Sequence, residues 1–225
     1  MPRAPTKGRF ITLEGGEGAG KSVQARRLAA RLGEAGLSVV LTREPGGSPE
    51  AEALREVVLS GAAARFGAMG EALLFSAARI DHIDATIAPA LRRGEWVVSD
   101  RFLDSTRAYQ GAAGQLDPAL VASLERVAVG ACRPDLTLVL DLPAAEGLAR
   151  ASARRGEAAA DRFEGEGLVF HETLRRAFQE IVVAEPQRCV LIDARPGEGE
   201  VAAAIWAAVR ARLGEALNAA TAAKP

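Results

Sequence analysis

The chain has 225 residues, of which 48% are hydrophobic, and this length and composition suit a single domain with a substantial core. Its net charge of −1 excludes a global positive field that would hold a nucleic-acid backbone or an anionic membrane surface. With only two histidines, His82 and His171, a histidine-based zinc site is not expected. We therefore expect no nucleic-acid or membrane partner, and an anionic substrate must be bound by local positive groups.

Five short apolar runs predict buried strands, and apolar residues with helical spacing fill most of the intervals between them. The strand candidates are residues 10–13, 38–42, 96–99, 136–140 and 189–192. The helix candidates are residues 22–34, 50–59, 68–93, 118–129 and 167–184. This alternation predicts an α/β fold whose parallel sheet is covered by helices on both faces. In such a sheet, ligands bind beyond the carboxyl ends of the strands.

The ends of the chain and its cysteines predict a cytoplasmic protein. The first apolar run is too short for a signal peptide, and no stretch approaches the ~18 residues of a membrane span. Cys132 and Cys189 are far apart and lack a CxxC partner, which favours reduced, buried thiols. We predict frayed tails at residues 1–8 and 215–225, with one domain at residues 9–214 between them.

An unbroken G-x-x-x-x-G-K-[ST] motif follows the first predicted strand and precedes a predicted helix, which is the context this motif requires. It comprises Gly15, Gly16, Glu17, Gly18, Ala19, Gly20, Lys21 and Ser22. Glycines let backbone N–H groups turn inward around phosphate oxygens, and the helix N-terminus adds positive potential. We expect Lys21 to reach the β and γ phosphates of ATP and the Ser22 hydroxyl to ligate Mg²⁺. The motif predicts a P-loop NTPase fold.

A GTPase switch is a weak alternative for this motif. Its guanine-reading segment requires asparagine, and the only asparagine is Asn218 in the predicted tail. The chain also contains no D-x-x-G segment. The sequence therefore gives little support to a GTPase switch.

Four further clusters supply candidate groups for a phosphate acceptor. They are Thr42-Arg43-Glu44-Pro45-Gly46-Gly47, Leu74-Phe75-Ser76-Ala77-Ala78-Arg79, Asp100-Arg101-Phe102 and Ser105-Thr106-Arg107-Ala108-Tyr109-Gln110-Gly111. Phe75 and Arg79 share a helix face, so they offer a neutral pyrimidine an aromatic surface and a directional donor. An arginine fork also suits a phosphate dianion. Alternatively, Phe75 is a core residue, Arg79 a solvated one, Asp100-Arg101 a strand-end ion pair and TREPGG a simple turn.

Together with the acidic phosphate loop, these clusters resemble the thymidylate kinases, P-loop enzymes that convert dTMP and ATP to dTDP and ADP. The resemblance runs from about Phe10 to about Leu213. It implies that Phe75 stacks on thymine and that Arg79 donates to its O4, while Thr106 and Gln110 approach the base. It further implies that Tyr109 disfavours a ribose 2′-hydroxyl, Glu17 bonds the 3′-hydroxyl, and Arg101 holds the acceptor phosphate. Asp100 would lie near the metal and phosphates, Arg43 would line the acceptor pocket, and the protein would be a homodimer.

Residues 153–167 are small, charged and glycine-containing and lack a convincing core face, so they predict a mobile lid at about residues 150–165. The phosphate loop has no arginine, and the resemblance then implies a catalytic arginine from the lid. It favours Arg154 or Arg155, with Arg150 and Arg162 in support, although residues 154–161 look longer than the usual lid. The alternative is a solvated loop in which Glu157, Asp161 and Glu164 pair with these arginines.

The leading hypothesis is a Mg²⁺-dependent dTMP kinase. Rival hypotheses are a P-loop kinase for another monophosphate or a nucleoside, a P-loop ATPase or switch that drives a partner, and an inactive binding module. The acceptor clusters argue against the ATPase, and the intact Lys21, Ser22, Asp100 and Arg101 argue against the inactive module.

Overall fold

Strands and helices alternate along this chain, as its apolar pattern predicts. The structure, a computed structural model, describes residues 8–156 and 162–222. The strands are β1 Phe10–Gly15, β2 Val39–Arg43, β3 Trp96–Asp100, β4 Leu136–Asp141 and β5 Cys189–Asp193. Each strand overlaps one of the apolar runs in the sequence, so the predicted strand positions are confirmed.

The helices cover most of the remaining described residues. They are α1 Lys21–Glu34, α2 Pro49–Leu59, α3 Gly67–His82, α4 Ala88–Arg92, α5 Leu103–Thr106, α6 Pro118–Val129, α7 Ala144–Arg155, α8 Leu168–Ala184 and α9 Glu198–Ala222. A π-helical segment, Arg107–Ala113, continues α5. None of the helix candidates covers α5, α7 or α9, because small and charged residues dominate α7 and α9 and α5 has only four residues. The lid was nevertheless expected to lie between two helices, and α7 and α8 occupy those positions.

The single helix predicted at residues 68–93 is interrupted. A π-helical segment, Ile83–Ile87, separates α3 from α4. Pro89 lies in the first turn of α4 and has no N–H to donate to the preceding turn. A wider turn at this point accommodates the missing hydrogen bond, so the prediction of one continuous helix was wrong at the proline.

In the described residues the strands form one parallel sheet in the order β2-β3-β1-β4-β5. The register pairs Leu13 of β1 and Arg43 of β2 with Asp100 of β3. The carboxyl ends of these three strands are therefore neighbours at one edge of the sheet. The phosphate loop and the Thr42 and Asp100 clusters all leave the sheet at this edge.

Alternate residues of the central strands β3, β1 and β4 bury opposite faces of the sheet, because side chains in a strand point alternately up and down. The edge strands β2 and β5 are only partly buried, so the prediction that all five strands are buried was wrong for these two. Ile11 and Leu13 pack with α1 and α9 in one cluster. Phe10 and Val97 pack on the other face with Phe102 and residues of the segment Ile83–Ile87. Both faces are covered, which confirms the predicted doubly covered α/β fold.

Helical structure extends beyond the predicted C-terminal end of the domain and into the predicted lid. α9 breaks its helical geometry at Leu213 but then continues to Ala222, with Leu217 buried in the core. The predicted tail from residue 215 is thus helical over most of its described length, because its leucine reaches the apolar cluster. α7 extends to Arg155 inside the predicted lid. Residues 1–7, 157–161 and 223–225, including Glu157 and Asp161, lie outside the described residues.

The prediction that the lid segment has no core face was wrong at Phe163. Its side chain is buried, with the ring centroid 5.3 Å from that of Tyr109 and 6.1 Å from that of Phe75. Phe163, together with the contacts of Arg162 to Leu59 O and Glu71, attaches this part of the lid to the rest of the domain.

No single helix in the described ranges has the length and hydropathy needed to cross a membrane, although the bent pair Pro49–Leu59 and Ala64–Arg92 passes that test jointly.

Candidate active site

The phosphate loop joins β1 to α1 and packs closely on neighbouring backbone. Gly15 has φ 134° and Gly18 has φ 68°, which are left-handed values that glycine adopts without strain. A Cβ atom on Gly15 would lie 2.4 Å from the carbonyl oxygen of Leu140, and one on Gly18 would lie 2.0 Å from that of Gly147. These two glycines are therefore required both by backbone conformation and by the close approach of β4 and α7.

Lys21 is the first residue of α1 and folds back across the loop. Its Nζ donates to the carbonyl oxygen of Gly16 at 2.7 Å, and its side chain is buried. Burial and the nearby Arg101 guanidinium lower the pKa of Lys21 to about 8, despite the opposing carboxylates of Glu17, Asp100 and Glu14. The ammonium is thus held inside the site, where a phosphate would find it partly desolvated.

Ser22 and Asp100, the two predicted metal ligands, are in direct contact. The Ser22 hydroxyl donates a short hydrogen bond to Asp100 Oδ2, while Asp100 Oδ1 is buried with no hydrogen-bond partner among the described residues. A hydroxyl and a carboxylate oxygen are ligands that Mg²⁺ prefers. The described residues contain no cluster of three or more His, Cys, Asp or Glu side chains able to hold a metal alone. The pair therefore fits an ion whose remaining ligands are phosphate oxygens and water.

A cavity of about 420 Å³ opens beside the loop. It brings together every residue that the sequence suggested for the acceptor: Glu17, Arg43, Phe75, Arg79, Arg101, Thr106, Tyr109 and Gln110. Lys21, Ser22 and Asp100 line the same cavity. Groups that could bind a nucleoside triphosphate and groups that could bind a second anion thus line the same cavity.

Arg79 is buried rather than solvated. Its Nε donates to Glu44 Oε2 at 2.8 Å, and its Nη1 donates to Thr106 Oγ1 at 3.1 Å. Phe75, one turn earlier on α3, is only partly buried and faces the cavity as well as the aromatic cluster around Phe163. The two residues therefore flank the cavity from a single helix.

Glu17, Arg101 and Tyr109 form a closed triangle of hydrogen bonds. Arg101 Nη2 and the Tyr109 hydroxyl each donate to Glu17 Oε1 at 2.7 Å, and the same Arg101 nitrogen lies 3.0 Å from the Tyr109 oxygen. Burial opposes ionisation of Glu17, but Arg101 and Lys21 lower its pKa to about 2. Burial raises the pKa of Tyr109 well above its usual range. At neutral pH the triangle therefore contains a carboxylate, a guanidinium and a neutral phenol.

Arg101 adopts a left-handed backbone conformation, with φ 71°, which is uncommon for a residue other than glycine. Its N–H donates to Leu13 O at 2.9 Å, and its carbonyl accepts from Ser99 Oγ at 2.7 Å. Such strain persists where surrounding contacts fix it, and it is enriched at functional sites. Here it directs the guanidinium toward the loop instead of leaving a simple Asp100–Arg101 ion pair.

Glu14, which the sequence analysis did not select, lies beneath this arginine. It is fully buried and accepts from Phe102 N at 2.8 Å, Ser105 N at 3.2 Å and Ser105 Oγ at 2.6 Å. Burial and the nearby Asp104 carboxylate raise its pKa to about 7. In the sequence Glu14 directly follows the first apolar run, residues 10–13, and only the structure extends β1 past it to Gly15.

Arg55 was also missed. It lines the cavity from α2, and its Nη1 lies 2.6 Å from the carbonyl oxygen of Pro45. Glu44 was quoted only as part of the TREPGG motif, yet it is buried and lines the cavity too. The TREPGG motif could have identified Glu44 as a site residue from the sequence. Arg55 is identified only by the packing of α2 against the turn after β2.

The lid arginines have different surroundings. Arg154 and Arg155 both pair with Glu164, at 3.2 Å and 2.8 Å, and Arg154 lines the cavity. Arg150 donates to the carbonyl oxygens of Ala194 and Arg195 after β5. Arg162 pairs with Glu71 and Glu166.

Arg43, the last residue of β2, also lines the cavity and pairs with Glu52 at 3.0 Å.

The comparisons with known proteins agree with this geometry. A sequence model described as thymidylate kinase matches residues 13–205, which run from β1 into α9. The chain belongs to the thymidylate kinase family. A thymidylate kinase of a Bradyrhizobium species is 55% identical over 221 residues, covering 98% of each chain. One from Rhodopseudomonas palustris is 57% identical over 208 residues, covering 92% of this chain and 90% of the relative.

A solved structure of thymidylate kinase from Ehrlichia chaffeensis has the same fold. It superimposes with a TM-score of 0.73 at 29% identity, covering 90% of this chain and 99% of that one. The family assignment therefore rests on sequence and on architecture, and it includes the phosphate loop, the acceptor clusters and the described part of the lid.

Proposed function

We propose that this chain is a dTMP kinase, which uses ATP to convert dTMP to dTDP. An oxygen of the acceptor's phosphate attacks the γ-phosphorus of ATP, and the bond between that phosphorus and the oxygen of the leaving ADP breaks. The observation that carries the proposal is the single cavity in which Lys21, Ser22 and Asp100 face the whole set of acceptor residues. In-line transfer requires two anions to be held end to end, and this cavity has positive groups on both sides.

The donor side is residues 15–22. Backbone N–H groups of this loop and the N-terminus of α1 would cradle the phosphates of ATP, and Lys21 would reach its β and γ phosphates. Ser22 and Asp100 would hold a Mg²⁺ ion together with phosphate oxygens. That ion, when bound, supplies charge that offsets the phosphates during transfer.

The acceptor side is the wall formed by α3, α5 and the segment Arg107–Ala113. Phe75 would stack on the thymine ring and Arg79 would donate to its O4. Gln110 is buried, with an Nε2 that has no hydrogen-bond partner among the described residues, so it has a donor to offer the base alongside Thr106. Arg43 would line the outer part of this pocket.

The sugar and phosphate of dTMP would meet the triangle of Glu17, Arg101 and Tyr109. Arg101 would bind the acceptor phosphate, which places the attacking oxygen near Lys21. Glu17 would accept from the 3′-hydroxyl, while the Tyr109 ring would leave little room for a ribose 2′-hydroxyl. The attacking oxygen is already anionic, so no general base is required.

Charge that develops in the transition state would be offset by Lys21, Arg101 and a lid arginine. Arg154 is the stronger of the two lid candidates because it lines the cavity, and Arg155 would support it by sharing Glu164. Closure of the lid would exclude water and limit hydrolysis of ATP.

We further propose a cytoplasmic homodimer. An exposed apolar stripe, formed by Phe66, Met69, Leu73 and Ile80, runs along α3 and offers a surface for a second copy of the chain. Cys132 and Cys189 form no disulfide among the described residues, and Cys132 is only partly buried, whereas the sequence favoured two buried thiols. Reduced thiols would suit the cytoplasm. Sedimentation at micromolar concentration should give twice the chain mass, and a Leu73→Glu variant should sediment as a monomer.

The decisive test of the reaction is an acceptor panel. With ATP and Mg²⁺, dTMP should give the highest kcat/KM among dTMP, dUMP, dCMP, UMP and thymidine, with ADP and dTDP as products. Better use of another acceptor would indicate a different P-loop kinase. Hydrolysis of ATP at an undiminished rate without any acceptor would indicate an ATPase.

A further inference from the structure

A chain of buried side chains leads away from Arg79, and the reaction described above does not use its far members. Glu44 Oε2 lies 2.7 Å from Arg79 Nη2, and Glu44 Oε1 lies 3.1 Å from His82 Nδ1. His82 Nε2 in turn lies 2.6 Å from Thr42 Oγ1. His82 is 0% exposed and Glu44 6% exposed, so water does not compete for these contacts.

In this row of four side chains, each hydrogen bond can join a donor to an acceptor. A carboxylate only accepts, so His82 Nδ1 donates to Glu44. His82 Nε2 and the Thr42 hydroxyl complete the second hydrogen bond of the ring, since a hydroxyl can either donate or accept. Every group from Thr42 to Arg79 thus has a partner of the required kind.

Packing fixes the position of the histidine ring. A Cβ atom on Gly47 would lie 2.4 Å from His82 Nε2 and 2.5 Å from Thr42 Oγ1. The glycine turn after β2 therefore lies directly against the His82–Thr42 contact. Since Thr86 also donates to Gly47 O at 2.8 Å, this turn is tied to the helical segment that follows α3.

The guanidinium of Arg79 is consequently held on several sides. Glu44 binds its Nε and Nη2, the Phe102 carbonyl accepts from Nη2 at 3.0 Å, and Thr106 accepts from Nη1 at 3.1 Å. A fixed guanidinium presents its N–H groups in one direction, whereas a mobile one adapts to its ligand.

We propose that Glu44 and His82 are positioning residues for base selection, which act through Arg79 to keep an N–H donor facing the 4-position of the pyrimidine. Thymine carries a carbonyl acceptor at this position and cytosine carries an amino donor. A donor that cannot turn away rejects cytosine, because two donors would face each other. This inference rests on the proposed role of Arg79 at the base.

The experiment compares kcat/KM for dTMP with kcat/KM for dCMP in a His82→Leu variant. We expect the dTMP:dCMP ratio to fall at least about tenfold, mainly through a higher KM for dTMP, with kcat for dTMP within about threefold of the parent. If His82 had a role in stability alone, His82→Leu would lower kcat/KM equally for both acceptors and leave the ratio unchanged. A ratio within about twofold of the parent in the folded variant would overturn the proposal.

The chain offers a matched control. His171 is the other histidine, is also buried, and lies on α8 outside the lining of the cavity. His171→Leu makes the same chemical change, and it should leave the dTMP:dCMP ratio within about twofold. If His82→Leu does not fold, Thr42→Val decides the question, because it removes only the hydroxyl that is hydrogen-bonded to His82. We expect this variant to lower the ratio about threefold, and an unchanged ratio would overturn the proposal.

An Arg79→Leu variant separates this inference from the function on which it rests. It should abolish most of the base discrimination. Adding His82→Leu to Arg79→Leu should then lower the dTMP:dCMP ratio no further, because the effects of substitutions at coupled residues are not additive. If Arg79→Leu leaves the ratio unchanged, the assignment of Arg79 to the base is wrong and the inference falls with it. If Arg79→Leu removes discrimination but neither His82→Leu nor Thr42→Val does, only the positioning role is wrong.

Discussion

Glu17 and Arg101 form a 2.7 Å ion pair where the phosphate loop meets the acceptor pocket, although 84 residues separate them in the chain. The Tyr109 hydroxyl donates a hydrogen bond to the same oxygen, Glu17 Oε1. Neither contact uses Oε2. Glu17 Oε2 is therefore left for the sugar hydroxyl in the proposed complex, in which Arg101 would bind the acceptor phosphate.

Loss of the Glu17 charge should weaken recognition of the sugar. In a Glu17→Gln variant, we expect the preference for dTMP over its 3′-deoxy analogue to fall about tenfold, because a hydrogen bond to a charged group becomes one to a neutral group. Steady-state kinetics with both acceptors measure the preference. Glu52→Gln is the control, since Glu52 pairs with Arg43 at the rim and the same change there should leave the preference intact. An unchanged preference in Glu17→Gln would remove Glu17 from the sugar site.

Removal of the Lys21 ammonium should impair transfer much more than folding. We expect Lys21→Ala to lower kcat by roughly 10²–10³-fold, which is the usual cost of losing one charge-stabilising donor. Lys21→Arg, which keeps a positive charge, should retain more activity than Lys21→Ala. Activity and thermal unfolding are measured together. A Lys21→Ala enzyme with parental kcat would contradict the donor-side assignment.

Alkaline pH should reduce the use of ATP by the free enzyme. The pKa of Lys21 is lowered to about 8 by burial and by Arg101, so Lys21 loses its charge as the pH rises through that value. We expect kcat/KM for ATP to decrease above about pH 8, since this ratio reports ionisations of the free enzyme. In Lys21→Arg the guanidinium stays protonated, and its profile should be flat over this range. A decrease of equal size in both enzymes would assign the ionisation to another group.

Glu14 should make the stability of the fold depend on pH. Burial and Asp104 raise its pKa from 4.5 to about 7, so the folded state binds a proton that the unfolded state releases between those values. The stability of the parent relative to Glu14→Gln should therefore be highest below about pH 4.5. It should fall as the pH rises through about 7, by an amount on the order of 3 kcal/mol. Urea unfolding of both proteins at pH 5, 6, 7 and 8 measures the difference. A difference independent of pH would show that Glu14 does not titrate in this range.

The sequence by itself determined the strand positions and named the acceptor residues that the structure brings together around one cavity. Short apolar runs bounded by turn residues locate the strands, because burying such a run in a sheet removes apolar surface from water. The phosphate-loop spacing is likewise local, because consecutive backbone N–H groups form the cradle. Residues 68–93 show the limit of periodicity, since Pro89 interrupts a helix that the apolar pattern alone would continue.

The tertiary structure alone decided which side chains meet. Arg79 has the sequence context of an ordinary surface arginine, and it is buried because Glu44, 35 residues away, supplies a carboxylate beside it. Phe163 looks like part of a solvated lid, but Tyr109 and Phe75 provide an aromatic surface for it. A charge or a ring is stabilised in the interior only by a partner of matching chemistry, and in these cases the partner comes from a distant segment that the parallel sheet brings to the same edge.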